Sequence, residues 1–160
     1  MATTKNIFIS HYGEDDPHVQ RLKERLKGQG YDVRNFSVDS TKHKDGRRPS
    51  DAVIERHLRR QISLSSTFIC LLGPETHKRR WVREEIKMAH LQGKQIVGFY
   101  TYGNANSVKL PYEFKKYGGS TLGWNSIDKL GDIIEGRTTV VENPDGSQRS
   151  PNYSMVSVPC

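Results

Sequence analysis

Glu85 is the residue most out of place in this chain. It lies in the stretch Thr76–His90, where about 100° of rotation per residue gathers Trp81, Val82, Ile86, Met88 and Ala89 into one apolar arc. Arg83, Glu84, Lys87 and His90 turn the other way, and Glu85 falls inside the apolar arc. An ionised carboxylate buried without partners costs several kcal/mol, so such a residue is paired, protonated, or set at the floor of a cleft. A carboxylate that snorkels at the rim of the helix contact, or pairs with a neighbouring Arg, satisfies the same pattern. A second group of candidates is Ser10, His11 and Tyr12, whose hydroxyls and imidazole close a short apolar run. They could contact the polar groups of a ligand, although a strand-end Ser also serves as a loop or cap residue.

The elements that would position these residues follow from the apolar spacing. Asn6–Ser10 reads as a short strand, and Gly13–Pro17 as a loop entering a helix, with acids and Pro at its first turn. Val19, Leu22 and Leu26 share a face of that helix, which runs to about Gly28. Tyr31–Val38 is β-branched and aromatic with polar interruptions, the composition of a strand near a sheet edge. Asp39–Pro49 is a basic loop, long for an α/β unit. Ser50 is placed to cap a helix with Ile54, Leu58 and Ile62 on one stripe, and the continuous apolar run Thr67–Leu72 predicts the central buried strand.

Gly73 and Pro74 then turn the chain, Thr76 is placed to cap, and the helix carrying Glu85 runs to Gln92 and Gly93. Lys94–Tyr100 is a fourth strand, residues 102–106 a turn, Pro111–Lys116 a short helix and Thr121–Trp124 a last short strand. Asn125 is placed to cap a closing helix with Ile127, Leu130, Ile133 and Ile134 inward, ended by Gly136. The expected domain spans residues 1–136, and 137–160, rich in Thr, Ser, Asn, Pro and Gly, is expected to be a tail or small hairpin.

Strands alternating with helices at this spacing predict an α/β three-layer sandwich around a mainly parallel sheet. Ligands of such sheets bind beyond the carboxyl ends of the strands, where the strand order reverses. Ser10 to Tyr12 lies at one such end, Asp39 at the second, and the start of the Glu85 helix abuts the third. That placement favours the cleft reading of Glu85.

Composition narrows the function classes. A chain of 160 residues, 34% hydrophobic and 27% charged, suits one foldable domain, and no apolar run approaches the roughly 20 residues that span a bilayer. No membrane association is expected, and the absence of a signal-like segment after Met1 makes the cytoplasm the expected location. The net charge of +7 suits an anionic partner, but the basic clusters lack interleaved aromatics, so a nucleic-acid partner is not expected. Cys70 and Cys160 form neither a disulfide framework nor a metal spacing, and His43, His57, His77 and His90 lack ligand partners, so no metal and no cofactor is expected.

Three pieces resemble one family: Ile7–Tyr12, reading I-F-I-S-H-Y and followed by acids; the loop after Asp39; and Arg79–Ile86, reading R-R-W-V-R-E-E-I. Together they resemble a TIR domain of flavodoxin-like architecture, and in particular the TIR-like proteins of the bacterial Thoeris anti-phage system, whose W-x-x-x-E element matches Trp81 and Glu85. The resemblance covers roughly Lys5 to Gly136. It implies cleavage of the nicotinamide–ribose bond of NAD, as substrate, with release of ADP-ribose or closure to a cyclic isomer. The product is a diffusible nucleotide that reaches a separate effector during phage infection, and self-association with other TIR domains is implied.

Glu85 is then the catalytic carboxylate, able to stabilise oxocarbenium-like charge on the ribose. Ser10, His11, Tyr12 and Asp39 are candidates for contacts to ribose or phosphate, and Trp81 for the floor of the nucleotide pocket. Asp39 is more often a turn residue, and a tryptophan at a helix start is more often core. Arg79 and Arg80 could attract the pyrophosphate or be surface charge. Other functions of the same architecture fit less well. A phospho-acceptor receiver needs an Asp at the third strand's end, where Leu72 and Gly73 stand, and an FMN site needs a phosphate loop where Glu14, Asp15 and Asp16 stand. A non-catalytic TIR-like module that works by assembly remains open, with Glu85 as the discriminator.

Overall fold

The computed structural model describes residues 5–11, 16–36, 50–101 and 108–148. Strands and helices alternate as β1 (Asn6–Ser10), α1 (Asp16–Gly28), β2 (Asp32–Phe36), α2 (Asp51–Ser63), β3 (Thr67–Leu72), α3 (Arg80–Leu91), β4 (Gln95–Tyr100), α4 (Tyr112–Tyr117), β5 (Thr121–Leu122) and α5 (Leu130–Ile134). All neighbouring strands pair in parallel, in the order β2-β1-β3-β4-β5. The order reverses between β1 and β3, which marks the ligand-binding crevice of flavodoxin-like sheets.

Alternation along the strands divides the core in two. Phe8, Phe68, Cys70, Leu72, Ile96 and Tyr100 point to the side covered by Ile54, Leu58 and Ile62 of α2, by Val82, Ile86, Met88 and Ala89 of α3, and by Phe114 of α4. Ile7, Ile9, Ile69, Leu71, Val97 and Phe99 meet Val19, Leu22 and Leu26 of α1 and Leu130, Ile133 and Ile134 of α5. The result is the three-layer sandwich expected. Every residue of β3 is buried, as its unbroken apolar run requires of a central strand, and β2 takes the edge position.

Local chemistry sets the helix ends. Ser50 accepts a hydrogen bond from the Val53 amide at 3.4 Å and caps α2. Gly93, at φ 69°, adopts the left-handed conformation that stops the chain after α3. Gly98 lets α4 sit directly on the sheet: a Cβ there would lie 2.6 Å from Phe114 Cζ and 2.7 Å from Leu72 Cδ1.

Two cap assignments are corrected. Thr76 does not cap α3, because Thr76–Lys78 forms a 3-10 turn and α3 begins at Arg80 with no side-chain cap. The Thr76 hydroxyl instead accepts from the Gly73 amide at 2.8 Å and donates to the Leu71 carbonyl at 3.3 Å, pinning the connection from β3. Asn125 lies inside the 3-10 segment Trp124–Lys129, whose N-cap position is Gly123, and only Leu130–Ile134 is α-helical. Beyond α5, Val141 bridges to Thr121 in parallel and Glu142 to Gln148 in antiparallel. The Glu142 carboxylate is buried, accepting from the Gly123 amide at 3.1 Å and from Lys129 Nζ at 2.8 Å. No helix among the described residues is long and apolar enough to cross a membrane.

Candidate functional site

Ser10 and Glu85 meet because two periodicities converge. Ser10 stands two residues beyond Phe8 and so faces the same layer, the one that α3 covers. On α3, Glu85 lies with Val82, Ile86 and Ala89 at helical spacing, on the face pressed against the sheet. Ser10 is the last residue of β1, registers with Cys70 of β3, and therefore sits at the reversal of strand order.

Both groups are withdrawn from solvent, Glu85 being 2% exposed and Ser10 0%. Among the described residues, neither Glu85 Oε2 nor Ser10 Oγ has a hydrogen-bond partner. Burial pushes the Glu85 carboxyl up to about 8, and the nearby Ser10 hydroxyl offsets only part of that. The hydroxyl is thus close enough to favour the anion without completing a hydrogen bond to it. A buried, uncompensated carboxyl beside an unpartnered hydroxyl is rare in a relaxed core and is the type of arrangement found where a ligand supplies the missing partners.

The rotation of α3, and hence the aim of Glu85, is held from both flanks. Arg80 pairs with Asp51 of α2 at 3.0 Å. Arg83 makes a bidentate contact with Glu113 of α4, with Nε at 3.0 and 3.2 Å and an end nitrogen at 3.1 Å. Burial pushes the Glu113 carboxyl up, but the Arg83 bonds and charge outweigh it and leave it below its ordinary value. Thr76, buried, fixes the turn from which α3 departs.

Of the other sequence candidates, His11 is buried immediately after Ser10. Trp81, one turn before Glu85, packs partly buried against the core that contains Phe8 and Ile86, with the Arg80 guanidinium 5.0 Å from its ring centre. Tyr12 and Asp39 lie outside the described residues. Sequence reasoning missed the Glu113 clamp and the pin at Thr76. The second had a signal, a Thr three residues after Gly73 in a tight turn; the first had none, because Arg83 and Glu113 are 30 residues apart. No cluster of three or more His, Cys, Asp or Glu that could hold a metal occurs among the described residues.

Residues 8–106 match the family model described as Thoeris protein ThsB, TIR-like domain. The chain belongs to this family. The match takes in Ser10, His11, Tyr12, Asp39, Trp81 and Glu85 together. A curated ThsB relative from Bacillus cereus (strain MSX-D12), named "Putative cyclic ADP-D-ribose synthase ThsB1", is 29% identical over 128 residues, covering 74% of this chain and 67% of the relative. Among solved structures, the TIR domain of the Toll-related receptor TRR-2 from Hydra magnipapillata has a TM-score of 0.55 at 16% identity, covering 83% of this chain and 94% of that one. A 2-deoxyribosyltransferase from Bacillus psychrosaccharolyticus has a TM-score of 0.58 at 15% identity, covering 77% and 90%. These likenesses establish the shared TIR-like fold.

Proposed function

We propose that the chain is a TIR-type NAD-processing enzyme that cleaves the N-glycosidic bond between nicotinamide and ribose and closes the ADP-ribose into a cyclic signal. The observation that carries this reading is the buried Glu85 carboxyl beside the unpartnered Ser10 hydroxyl, at the reversal of strand order. Nicotinamide departs with the bonding electron pair, and positive charge spreads over C1′ and the ring oxygen of ribose. An ionised Glu85 in a dry setting stabilises that charge far better than the same group in water. A nucleophilic atom of the same ADP-ribose then bonds to C1′ and loses its proton, giving the cyclic product; water in its place gives ADP-ribose.

The name of the Bacillus cereus relative supports the cyclising outcome. The product acts as a diffusible nucleotide on a separate effector during phage infection, and association with further TIR domains helps to complete the site. With Glu85 2% exposed, the described conformation is the quiet one, and the working form opens the seam between β1 and α3.

The same burial gives a second reading its footing, in which the domain acts through assembly and Glu85 is structural. One experiment separates the two. Nucleotides extracted from triggered cells are compared by mass spectrometry for the wild type and Glu85→Gln. The enzyme reading expects a cyclic ADP-ribose-type product and loss of nicotinamide–ribose linkages in the wild type only. A folded Glu85→Gln protein that protects cells equally well, with no NAD-derived product from either protein, would falsify it.

A further inference from the structure

A site that stabilises a cation needs Glu85 as an anion, and its surroundings oppose that. Among the described residues, the groups on that face of the sheet are Ser10 at the end of β1, Cys70 of β3 in register with it, and Tyr100 of β4, with His11 the buried residue that follows β1. None of these is a fixed cation. The cations nearest along α3 are spent elsewhere, Arg80 on Asp51 of α2 and Arg83 on Glu113 of α4, while Lys87 pairs with Glu84 on the outer surface. In the preceding turn Lys78 pairs with Glu75, and the imidazole of His77 and the guanidinium of Arg79 are the other basic groups near the helix start. Among the described residues, burial and the Ser10 hydroxyl set the proton affinity of Glu85, and burial dominates.

We propose that the substrate-free protein holds Glu85 as the neutral acid, and that a cationic N-glycoside entering the seam beside Ser10 expels its proton to solvent, coupling binding to proton release. The inference rests on the NAD reading above and deepens it, since NAD⁺ carries its positive charge on the nicotinamide ring next to the bond that breaks. No substrate bond is made or broken in this step. The carboxyl O–H bond breaks, the proton goes to buffer, and the new anion faces the pyridinium charge with Ser10 Oγ free to donate to Oε2. Below about pH 8 Glu85 thus gains its full charge when the bound ligand is itself cationic, and a neutral ligand gives no such drive. Coupling of this kind raises the affinity for the cation by up to about tenfold per pH unit while the ligand-free acid stays protonated.

The test is calorimetry of the intact chain at pH 7 in two buffers of different ionisation enthalpy. The titrants are a carbocyclic NAD⁺ analogue, which resists cleavage, and NADH, whose nicotinamide ring is uncharged. The expected result is close to one proton released per NAD⁺ analogue bound, none with NADH, and none with either ligand in Glu85→Gln. Equal release with NADH, or none with the cationic analogue, overturns the proposal. A second arm needs no ligand: carboxyl ¹³C signals of glutamate-labelled protein should include one that titrates well above the ordinary range and is missing in Glu85→Gln. A Glu85 signal in the ordinary range overturns this inference even if NAD is consumed. A high-titrating Glu85 that releases its proton to NAD⁺ in a protein that makes no product overturns the proposed function and leaves this inference standing.

Discussion

Glu85→Gln should make the protein more stable at neutral pH, by an amount that depends on pH in a defined way. In the folded protein the carboxyl keeps its proton up to about 8, against an ordinary value of 4.5. Between those values the unfolded chain has lost the proton and the native state still holds it, so unfolding releases a proton and stability falls as pH rises. Each pH unit in this window costs about 1.4 kcal/mol. At pH 7 the accumulated cost is about 3 kcal/mol, and above pH 8 it levels off near about 5 kcal/mol, an upper figure because a fully buried group can relax or admit water. Glutamine has nearly the shape of the protonated acid and never ionises, so the substitution removes the cost.

Paired urea or thermal melts of wild type and variant, followed by circular dichroism from pH 4 to pH 9, check this. The two proteins should coincide near pH 4 and diverge steadily until about pH 8, where the variant is the more stable. At pH 7 the difference corresponds to roughly 6–12 °C in Tm for a chain of this size. Subtracting one curve from the other cancels the other titrating groups, leaving Glu85. A difference that is flat with pH, or a variant less stable than wild type at pH 7, would refute the claim that Glu85 is buried without a compensating charge. A gain in stability joined to loss of product formation is the behaviour of a residue kept for chemistry at the expense of the fold.

Other substitutions test the supports of the site. Gly98→Ala places a methyl group against Phe114 and Leu72 and should cost about 1–3 kcal/mol in chemical denaturation. Thr76→Val keeps the shape but leaves the buried Gly73 amide without its acceptor, for a loss of about 1–3 kcal/mol by the same measurement. Glu113→Gln weakens the bidentate clamp on α3. Because the carboxyl of Glu113 sits below its ordinary value, the stability it contributes is present above about pH 4.5 and fades as pH falls through the lowered value, so variant and wild type should converge in acid. Lys129→Met strips the buried Glu142 carboxylate of its countercharge and should destabilise the chain at pH 7, with protection of the 140–148 amides from hydrogen exchange lost first.

What could be read from the sequence was whatever depends on spacing within one element. The inward face of α3, with Glu85 on it, needs only the helical period from Val82 to Ala89, and the burial of β3 only its unbroken apolar run. The three-layer order follows from alternation, and the period of two that carries Phe8 inward also carries Ser10 toward α3, which needs nothing beyond the spacing within β1. What escaped reading was partnership. Thr76 fits the rule for a helix cap, yet the short connection from β3 needs its oxygen for the Gly73 amide first, so the turn tightens to 3-10 and α3 starts four residues later. Asn125 fails in the same way, being absorbed into a 3-10 segment that begins at Trp124 with Gly123 at its N-cap. Glu113 and Glu142 carry no signal in the sequence because their partners, Arg83 in one case and Gly123 with Lys129 in the other, come within reach only when α4 and the 140–148 segment dock. Glu85 is set apart from those two by the same logic. All three are buried acids, two are answered by a cation and held as anions, and among the described residues Glu85 alone of the three is met by a hydroxyl and no cation, the contrast on which the proposed ligand site rests.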